Sequence, residues 1–175
     1  MFKTIALVIV VVIAALLIFA ATKPDTFRVQ RSTSINAPPE KIFPLLNDFH
    51  NFSAWSPYEK LDPAMKRTYG GAASGVGAWY GWESDGKAGV GRMEIRESSP
   101  PSTIMINLDF VKPFATRNIV AFTLDAKGDS TDVTWAMHGP SPYIAKVMTI
   151  FFNMDHMVGK DFETGLANLK AVAEK

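Results

Sequence analysis

The sequence predicts an α+β protein in which a curved antiparallel sheet grips a long C-terminal helix, with one transmembrane helix in front. Three observations support this prediction. Residues 5–21 contain no polar side chain. Residues 65–139 largely alternate apolar and polar side chains with a period of two, which is typical of strands. Residues 141–175 repeat apolar side chains at helical spacing.

The apolar run at residues 5–21 is flanked by Lys3 and Lys23. At about 1.5 Å per residue it spans roughly 26 Å, just enough for a hydrocarbon core of about 30 Å once Thr4 and Thr22 are included. A cleaved signal peptide is the alternative, but the run exceeds the usual apolar region of about 7–15 residues, and the small-residue cleavage pattern is poor. We therefore predict a single-pass membrane anchor over residues 1–22. Basic residues on both flanks leave the side of the membrane open.

A short polar linker, residues 23–27, is expected to lead into one domain over residues 28–175. The stretch "FRVQRSTSI" alternates and predicts a strand. "NAPPEKIFPLLNDF" predicts a helix that Pro44 shortens or bends. "HNFSAWSPYEKLDP" predicts a second short helix or turn. The six strands expected between residues 65 and 139 have short links, so neighbours should pair as antiparallel hairpins or a meander.

One helix of about eight turns is expected to close the chain, and because it exceeds the usual helix length it needs the sheet as its partner. Gly159 and Gly165 each cost such a helix about 1 kcal/mol relative to alanine. Close approach to the sheet or to a loop is the expected compensation. The apolar positions that carry the helical spacing are Ile144, Val147, Met148, Phe151, Val158, Phe162, Leu166 and Leu169.

Composition and motifs argue against several classes of function. With 18 Lys+Arg and 17 Asp+Glu the chain lacks the basic footprint that nucleic acid requires. It has no cysteine, and the spacing of His50, His138 and His156 does not suggest metal ligands, so we predict neither a metal nor a cofactor. "GWESDGKA" fits a phosphate loop except that Ala88 stands where Ser or Thr is needed, and a β-hairpin turn is the better interpretation. No "GxSxG" motif is present.

Four stretches resemble the START/polyketide cyclase–dehydrase superfamily of helix-grip proteins, often called SRPBCC, and in particular its bacterial membrane-anchored members. They are "INAPPEKIFPLLNDFHNFSAWSPYEK", "GVGAWYGWES", "VTWAMHG" and "MVGKDFETGLANLK". The resemblance covers about residues 26–175 and implies a deep apolar cavity between sheet and helix. It implies no particular reaction, because the superfamily contains lipid carriers, hormone receptors, oxygenase domains and cyclases.

Large aromatic and methionine side chains are the candidates for the cavity wall. Methionine is unbranched and adaptable, so it suits a wall that accepts variable apolar shapes, although each residue alone could equally be ordinary core. Alternation along the last strand predicts Trp135 and Met137 inward and His138 outward. The complete expected cavity set is Trp79, Trp82, Met105, Phe110, Trp135, Met137, Met148, Phe151 and Asp155.

Asp155 and Glu83 are the only candidates for catalysis, and both are weak. Asp155 is expected on or beside the inward stripe of the long helix, while His156 is turned about 100° away, so the two cannot act as a pair. A buried carboxylate without partners would cost several kcal/mol, so Asp155 should contact Trp82, Tyr80 or an arginine, or else anchor a ligand head group.

These observations predict a membrane-tethered domain that binds a hydrophobic small molecule, such as a lipid or isoprenoid, in an internal cavity. Two alternatives stay open at this point. The first is a cyclase or dehydratase acting on an apolar polyketide-like substrate, and the second is a structural partner of a membrane complex with the cavity collapsed. The expected partners are thus the membrane and an apolar small molecule, while the oligomeric state cannot be read from the sequence.

Overall fold

The computed structural model describes residues 2–86, 88–112 and 115–175. Lys87, in the predicted "SDGKAG" link, and residues 113–114, in the "KPFA" link, lie outside this range. The elements are helix α1 (Phe2–Ala21), strand β1 (Thr26–Ile35), helix α2 (Pro39–Asn47), two 3-10 turns (Phe49–Ala54 and Pro57–Lys60), strands β2 (Lys66–Gly70), β3 (Trp79–Glu83), β4 (Val90–Ser99), β5 (Thr103–Lys112), β6 (Thr116–Lys127) and β7 (Ser130–Pro140), and helices α3 (Tyr143–Phe151) and α4 (Met154–Ala173).

The seven strands form one antiparallel sheet in the order β1-β7-β6-β5-β4-β3-β2. Strands β2 to β7 are a meander, as their short links predicted. β1 pairs with β7, from Thr26 opposite Pro140 to Ile35 opposite Thr131. Register shifts in β4, after Val90 and after Ile95, interrupt its pairing with β5. Such bulges bend and twist a sheet, which helps it curve around a helix. The predicted α+β helix-grip architecture is confirmed.

The prediction of a single C-terminal helix is wrong, because the structure has two helices in this part of the chain. α3 ends at Phe151, and Phe152 and Asn153 are extended before α4 begins. The side chain of Asn153 accepts a hydrogen bond from the backbone N–H of His156 at 3.0 Å, which caps the new helix. Asp155 in the first turn adds a favourable charge at this positive end of α4.

α4 packs against β1 and β7 on the concave face of the sheet and forms part of the core. Its Phe162 is buried and stacks on Trp135 of β7, with ring centroids 4.1 Å apart and planes 9° from parallel. Trp55, from the "F-x-x-W-S-P" stretch, is fully buried beside this pair and donates its indole N–H to the Leu45 carbonyl at 2.9 Å. Asn168 of α4 donates to the Trp55 carbonyl at 3.0 Å, so the motif ties the 3-10 turn to the helix.

Gly165 is required where α4 crosses this aromatic cluster. A Cβ at this position would lie 2.6 Å from a ring carbon of Trp135 and 3.0 Å from Pro57. We expect Gly165→Ala to lower the free energy of unfolding by about 1 kcal/mol, because overpacking at about 1–3 kcal/mol outweighs the gain in helix propensity of about 1 kcal/mol. Chemical denaturation of the two proteins in the same detergent measures the difference. An alanine variant more stable than the wild type would contradict the close approach.

α1 is long and apolar enough to cross a membrane, and only Ala20 along its length is buried. Its C-terminal end contacts α3, where the Tyr143 hydroxyl donates to the Leu17 carbonyl at 2.8 Å. β1 begins at Thr26, inside the segment expected to be a linker. The division into anchor, linker and domain otherwise stays a prediction.

Candidate functional site

A cavity of about 980 Å³ lies between the concave face of the sheet and helices α3 and α4. This volume is at the upper end of the range of about 300–1,000 Å³ that is typical of small-molecule sites. Strands β5, β6 and β7 supply its back wall through alternate side chains, because residues of one parity face the same side of a strand. The mouth lies where β1 begins and β7 ends, beside α3.

The wall is mainly aromatic and aliphatic, and six of the nine expected residues line it. Its apolar side chains come from the sheet, from the 3-10 turns and from both C-terminal helices. Such a surface binds apolar guests of variable shape. The expected residues found on the wall are Trp82, Phe110, Trp135, Met137, Phe151 and Asp155.

Trp79, Met105 and Met148 do not line the cavity. Trp79 lies on the outer face of β3, where the guanidinium of Arg92 sits 4.5 Å from the centre of its ring. Met105 lies on the outer face of β5, because its neighbours Ile104 and Ile106 are fully buried on the inner face. Met148 is 44 % exposed, because the break before α4 turns this side of α3 away from the sheet. The placement of these three residues was therefore wrong.

Asp155 lies at the mouth of the cavity, and its partner is an arginine. The Arg31 guanidinium on β1 donates to both carboxylate oxygens of Asp155, at 3.2 and 3.1 Å, and to its backbone carbonyl at 3.0 Å. Arg31 also donates to Glu163 of α4 at 2.7 Å. Gly159 leaves room for the guanidinium, because a Cβ there would overlap it. This cluster fixes the start of α4 against β1.

Hydrogen bonding from Arg31 holds the pKa of Asp155 below its ordinary value of 3.8. A lowered folded-state pKa means that the pair contributes stability above the unfolded-state pKa and loses it as the pH falls through the folded-state value. We expect carboxyl NMR titration to show a depressed pKa in the wild type and a return toward 3.8 in Arg31→Gln. An Asp155 pKa that is unchanged by Arg31→Gln would contradict the pairing.

Glu83, the other weak catalytic candidate, is not on the cavity wall. Its side chain is 62 % exposed at the end of β3 and lies 3.5 Å from the Lys66 ammonium. An exposed pair of this kind contributes little to stability. The structure therefore gives no support to a role for Glu83 in cavity chemistry.

Polar groups that sequence reasoning missed lie on the wall near the 3-10 turns. Glu59 is buried and accepts hydrogen bonds from the Arg67 Nε at 2.7 Å and the Tyr80 hydroxyl at 2.6 Å. Burial raises the pKa of Tyr80, and the carboxylate of Glu59 raises it further. Burial likewise raises the pKa of Tyr58, with a smaller effect from the charge of Asp161. These tyrosines are therefore neutral hydroxyl groups at physiological pH.

Two buried polar atoms of lining residues have no hydrogen-bond partner among the described residues, namely Asn118 Oδ1 and Trp135 Nε1. Both side chains are about 5 % exposed. A buried polar atom left unpaired costs about 1–3 kcal/mol. Both atoms have almost no accessible surface, and Asn118 Oδ1 lies against Gly139, so a guest can pair with either atom only after its side chain rotates toward the cavity. By contrast, the Trp82 indole N–H is engaged, since it donates to the Ala88 carbonyl at 2.9 Å.

Across residues 2–86, 88–112 and 115–175, no group of three or more His, Cys, Asp or Glu side chains is arranged to hold a metal ion. Tyr58 and Asp161 are two further titratable groups on the wall, and the charge of Asp161 acts on Tyr58. Burial raises the pKa of Asp161, and the charge of Lys160 opposes that effect.

Solved structures with the same fold come from distant proteins. A crystal structure of a protein from Chromobacterium violaceum matches with a TM-score of 0.61 at 17 % identity, covering 87 % of this chain and 99 % of that one. Ginseng major latex-like protein 151 from Panax ginseng matches with a TM-score of 0.62 at 13 % identity, covering 87 % of this chain and 100 % of that one. A protein in the dynemicin biosynthetic locus matches with 0.60 at 16 %, covering 87 % of this chain and 48 % of that one. At these identities the likeness shows the fold alone.

None of the curated proteins matches the chain in sequence. A family model, however, matches residues 26–174, which is nearly the whole chain after α1. The matched span contains every strand of the sheet, both C-terminal helices and the "F-x-x-W-S-P" turn. The chain therefore belongs to the family described as polyketide cyclase / dehydrase and lipid transport.

Proposed function

We propose that this protein is a membrane-tethered carrier or sensor that holds one hydrophobic small molecule in the cavity of its helix-grip domain. The observation that carries the proposal is the cavity of about 980 Å³ with a mainly apolar wall. Burial of apolar surface at about 25 cal/mol per Å² would supply most of the affinity. The apolar helix α1 supports the tether, since it has the length and composition of a membrane span.

The unpaired wall atoms narrow the class of ligand. Asn118 Oδ1 accepts a hydrogen bond and Trp135 Nε1 donates one, so a guest with a neutral polar group such as a hydroxyl suits either atom once a rotation of its side chain turns that atom toward the cavity. The carboxylates of Asp155 and Glu59 already pair with Arg31 and Arg67. An apolar body that carries a hydroxyl group, as in a lipid-like alcohol, is thus the ligand class that this wall favours.

Binding of matched probes tests the proposal. Full-length protein in mild detergent should bind a long-chain alcohol more tightly than the alkane of equal length, as measured by displacement of an environment-sensitive fluorophore. In Asn118→Leu the ratio of the two affinities, alcohol over alkane, should fall. The fall is up to about tenfold if the hydrogen bond to Asn118 contributes about 1.4 kcal/mol. If neither probe displaces the fluorophore, the carrier function fails. If both bind equally in wild type and variant, only the hydroxyl preference fails.

An enzymatic function in the same cavity is the second candidate, and the pair Tyr58 and Asp161 is the observation that favours it. Both groups line the cavity, and burial raises the pKa of each, which favours the protonated form that a general acid needs. Turnover of an apolar polyketide-like substrate that is lost in both Tyr58→Phe and Asp161→Asn, while ligand binding persists, would establish an enzyme instead of a carrier.

A further inference from the structure

Exposed apolar side chains outside α1 gather at the mouth end of the domain. Soluble monomers rarely expose a large contiguous apolar patch without a function. Among the described residues of this kind, only Val76, in the β2–β3 loop, lies at the opposite end of the sheet. The large exposed hydrophobic residues in the described part of the chain after α1 are Leu61, Val76, Val111, Tyr143, Ile144, Met148, Phe151, Phe152 and Met157.

α3 carries most of this patch and is amphipathic. Ile144, Met148 and Phe151 are spaced by four and three residues, so they share one face of the helix, and they are 62 %, 44 % and 65 % exposed. The opposite side holds Lys146, which is buried and bonded to Asp25 beside the start of β1. The polar side of α3 is therefore held against the segment before β1, and the apolar side is left bare.

The contact between α1 and α3 sets the depth of this face. The Tyr143 hydroxyl donates to the carbonyl of Leu17, which lies four residues before the end of α1. At 1.5 Å per residue, that carbonyl is about 6 Å inside the apolar span. Amphipathic helices that lie on membranes are buried by about 5–10 Å, so a bilayer that accepts α1 as far as Ala21 also reaches α3.

The same helix borders the mouth of the cavity. Thr149, Ile150, Phe151 and Phe152 line it, and they belong to α3 and to the break that follows. Lys23, two residues after the end of α1, is on the wall as well. The mouth is therefore placed beside the end of the membrane span.

We infer that the apolar face of α3, formed by Ile144, Met148 and Phe151, lies in the headgroup region of the bilayer that holds α1, so that the cavity mouth opens directly onto lipid. The inference rests on the tether in the proposed function. It adds that the ligand exchanges directly with the membrane, and that the exposed apolar face of α3 contacts lipid.

Depth-dependent quenching tests this placement, and the absence of cysteine makes single-site labelling straightforward. Full-length Met148→Cys, Val76→Cys and Val10→Cys variants, each with an environment-sensitive fluorophore, are reconstituted in phosphatidylcholine vesicles containing lipid with a nitroxide high on the acyl chain. The label at position 148 should be quenched at least about threefold more than the label at 76, and soluble iodide should show the reverse order. Ile144→Cys provides an independent repeat on the same face.

Position 10 separates the two possible failures. If a deeply placed nitroxide quenches the label at position 10, the tether stands. If the labels at 144 and 148 then behave like the label at 76, the inference is overturned while the tether is kept. A label at 10 that no lipid quencher reaches would remove the tether and the inference with it. Neither result touches ligand binding, which the fluorophore displacement measures separately.

Discussion

Replacing Leu108 and Val120 together with tryptophan is expected to abolish ligand binding while the protein stays folded. Both side chains are on the cavity wall, so the indole rings extend into empty volume rather than into packed atoms. They occupy the space that the guest needs. We expect apparent affinity for an apolar fluorophore to fall by at least about tenfold, equivalent to about 1.4 kcal/mol.

Met105→Trp is the matched control for this prediction, because Met105 lies on β5 with Leu108 but on the outer face. It should bind the fluorophore like the wild type. Equal binding by all three proteins would show that the probe does not occupy the cavity. Circular dichroism of the double variant verifies that the sheet is intact.

Phe162→Ala is expected to lower the free energy of unfolding by about 3–5 kcal/mol, the usual cost of removing a buried phenylalanine. Phe162 is 2 % exposed and stacks on Trp135, so its removal takes away both apolar burial and an aromatic contact. Denaturant unfolding of the full chain in detergent, followed by tryptophan fluorescence, measures the loss.

Met157→Ala on the same helix is the control, since Met157 is 60 % exposed and should change stability by no more than about 0.5 kcal/mol. A small effect of Phe162→Ala, comparable to that of Met157→Ala, would mean that α4 is not packed into the sheet as described. A large loss in both variants would indicate that the detergent, rather than the core, limits stability.

Strand positions were predictable from the sequence because alternation and short links act locally, and every predicted strand is present. The C-terminal helix was less predictable, because apolar spacing continues through Phe151 and Val158 across the break. The signal that could have located it is Asn153, a good N-cap residue, with Asp155 two residues later. Because the apolar spacing continues across the break, it does not reveal that a second helix begins at this cap.

The cavity wall was predictable in part, and the errors have a simple cause. Met105 and Phe110 have opposite parity on one strand, as do Trp79 and Trp82, so members of each pair cannot share a face without a bulge. Parity along the strand, and not residue type, decides which face a side chain occupies. Asn118 has the parity of Val120 and Phe122 on β6, so alternation could have placed it on the wall. Glu59 could not be predicted, because its burial depends on partners in β2 and β3.

Native mass spectrometry of the full-length protein, released from mild detergent, is the most direct test that the domain carries an apolar guest. The account predicts a bound species of lipid-like mass, near one per protein, that organic extraction recovers and that is absent from the Leu108→Trp, Val120→Trp double variant. Wild-type protein that carries no small molecule, and whose thermal unfolding is unchanged across a panel of lipids and long-chain alcohols, would contradict it.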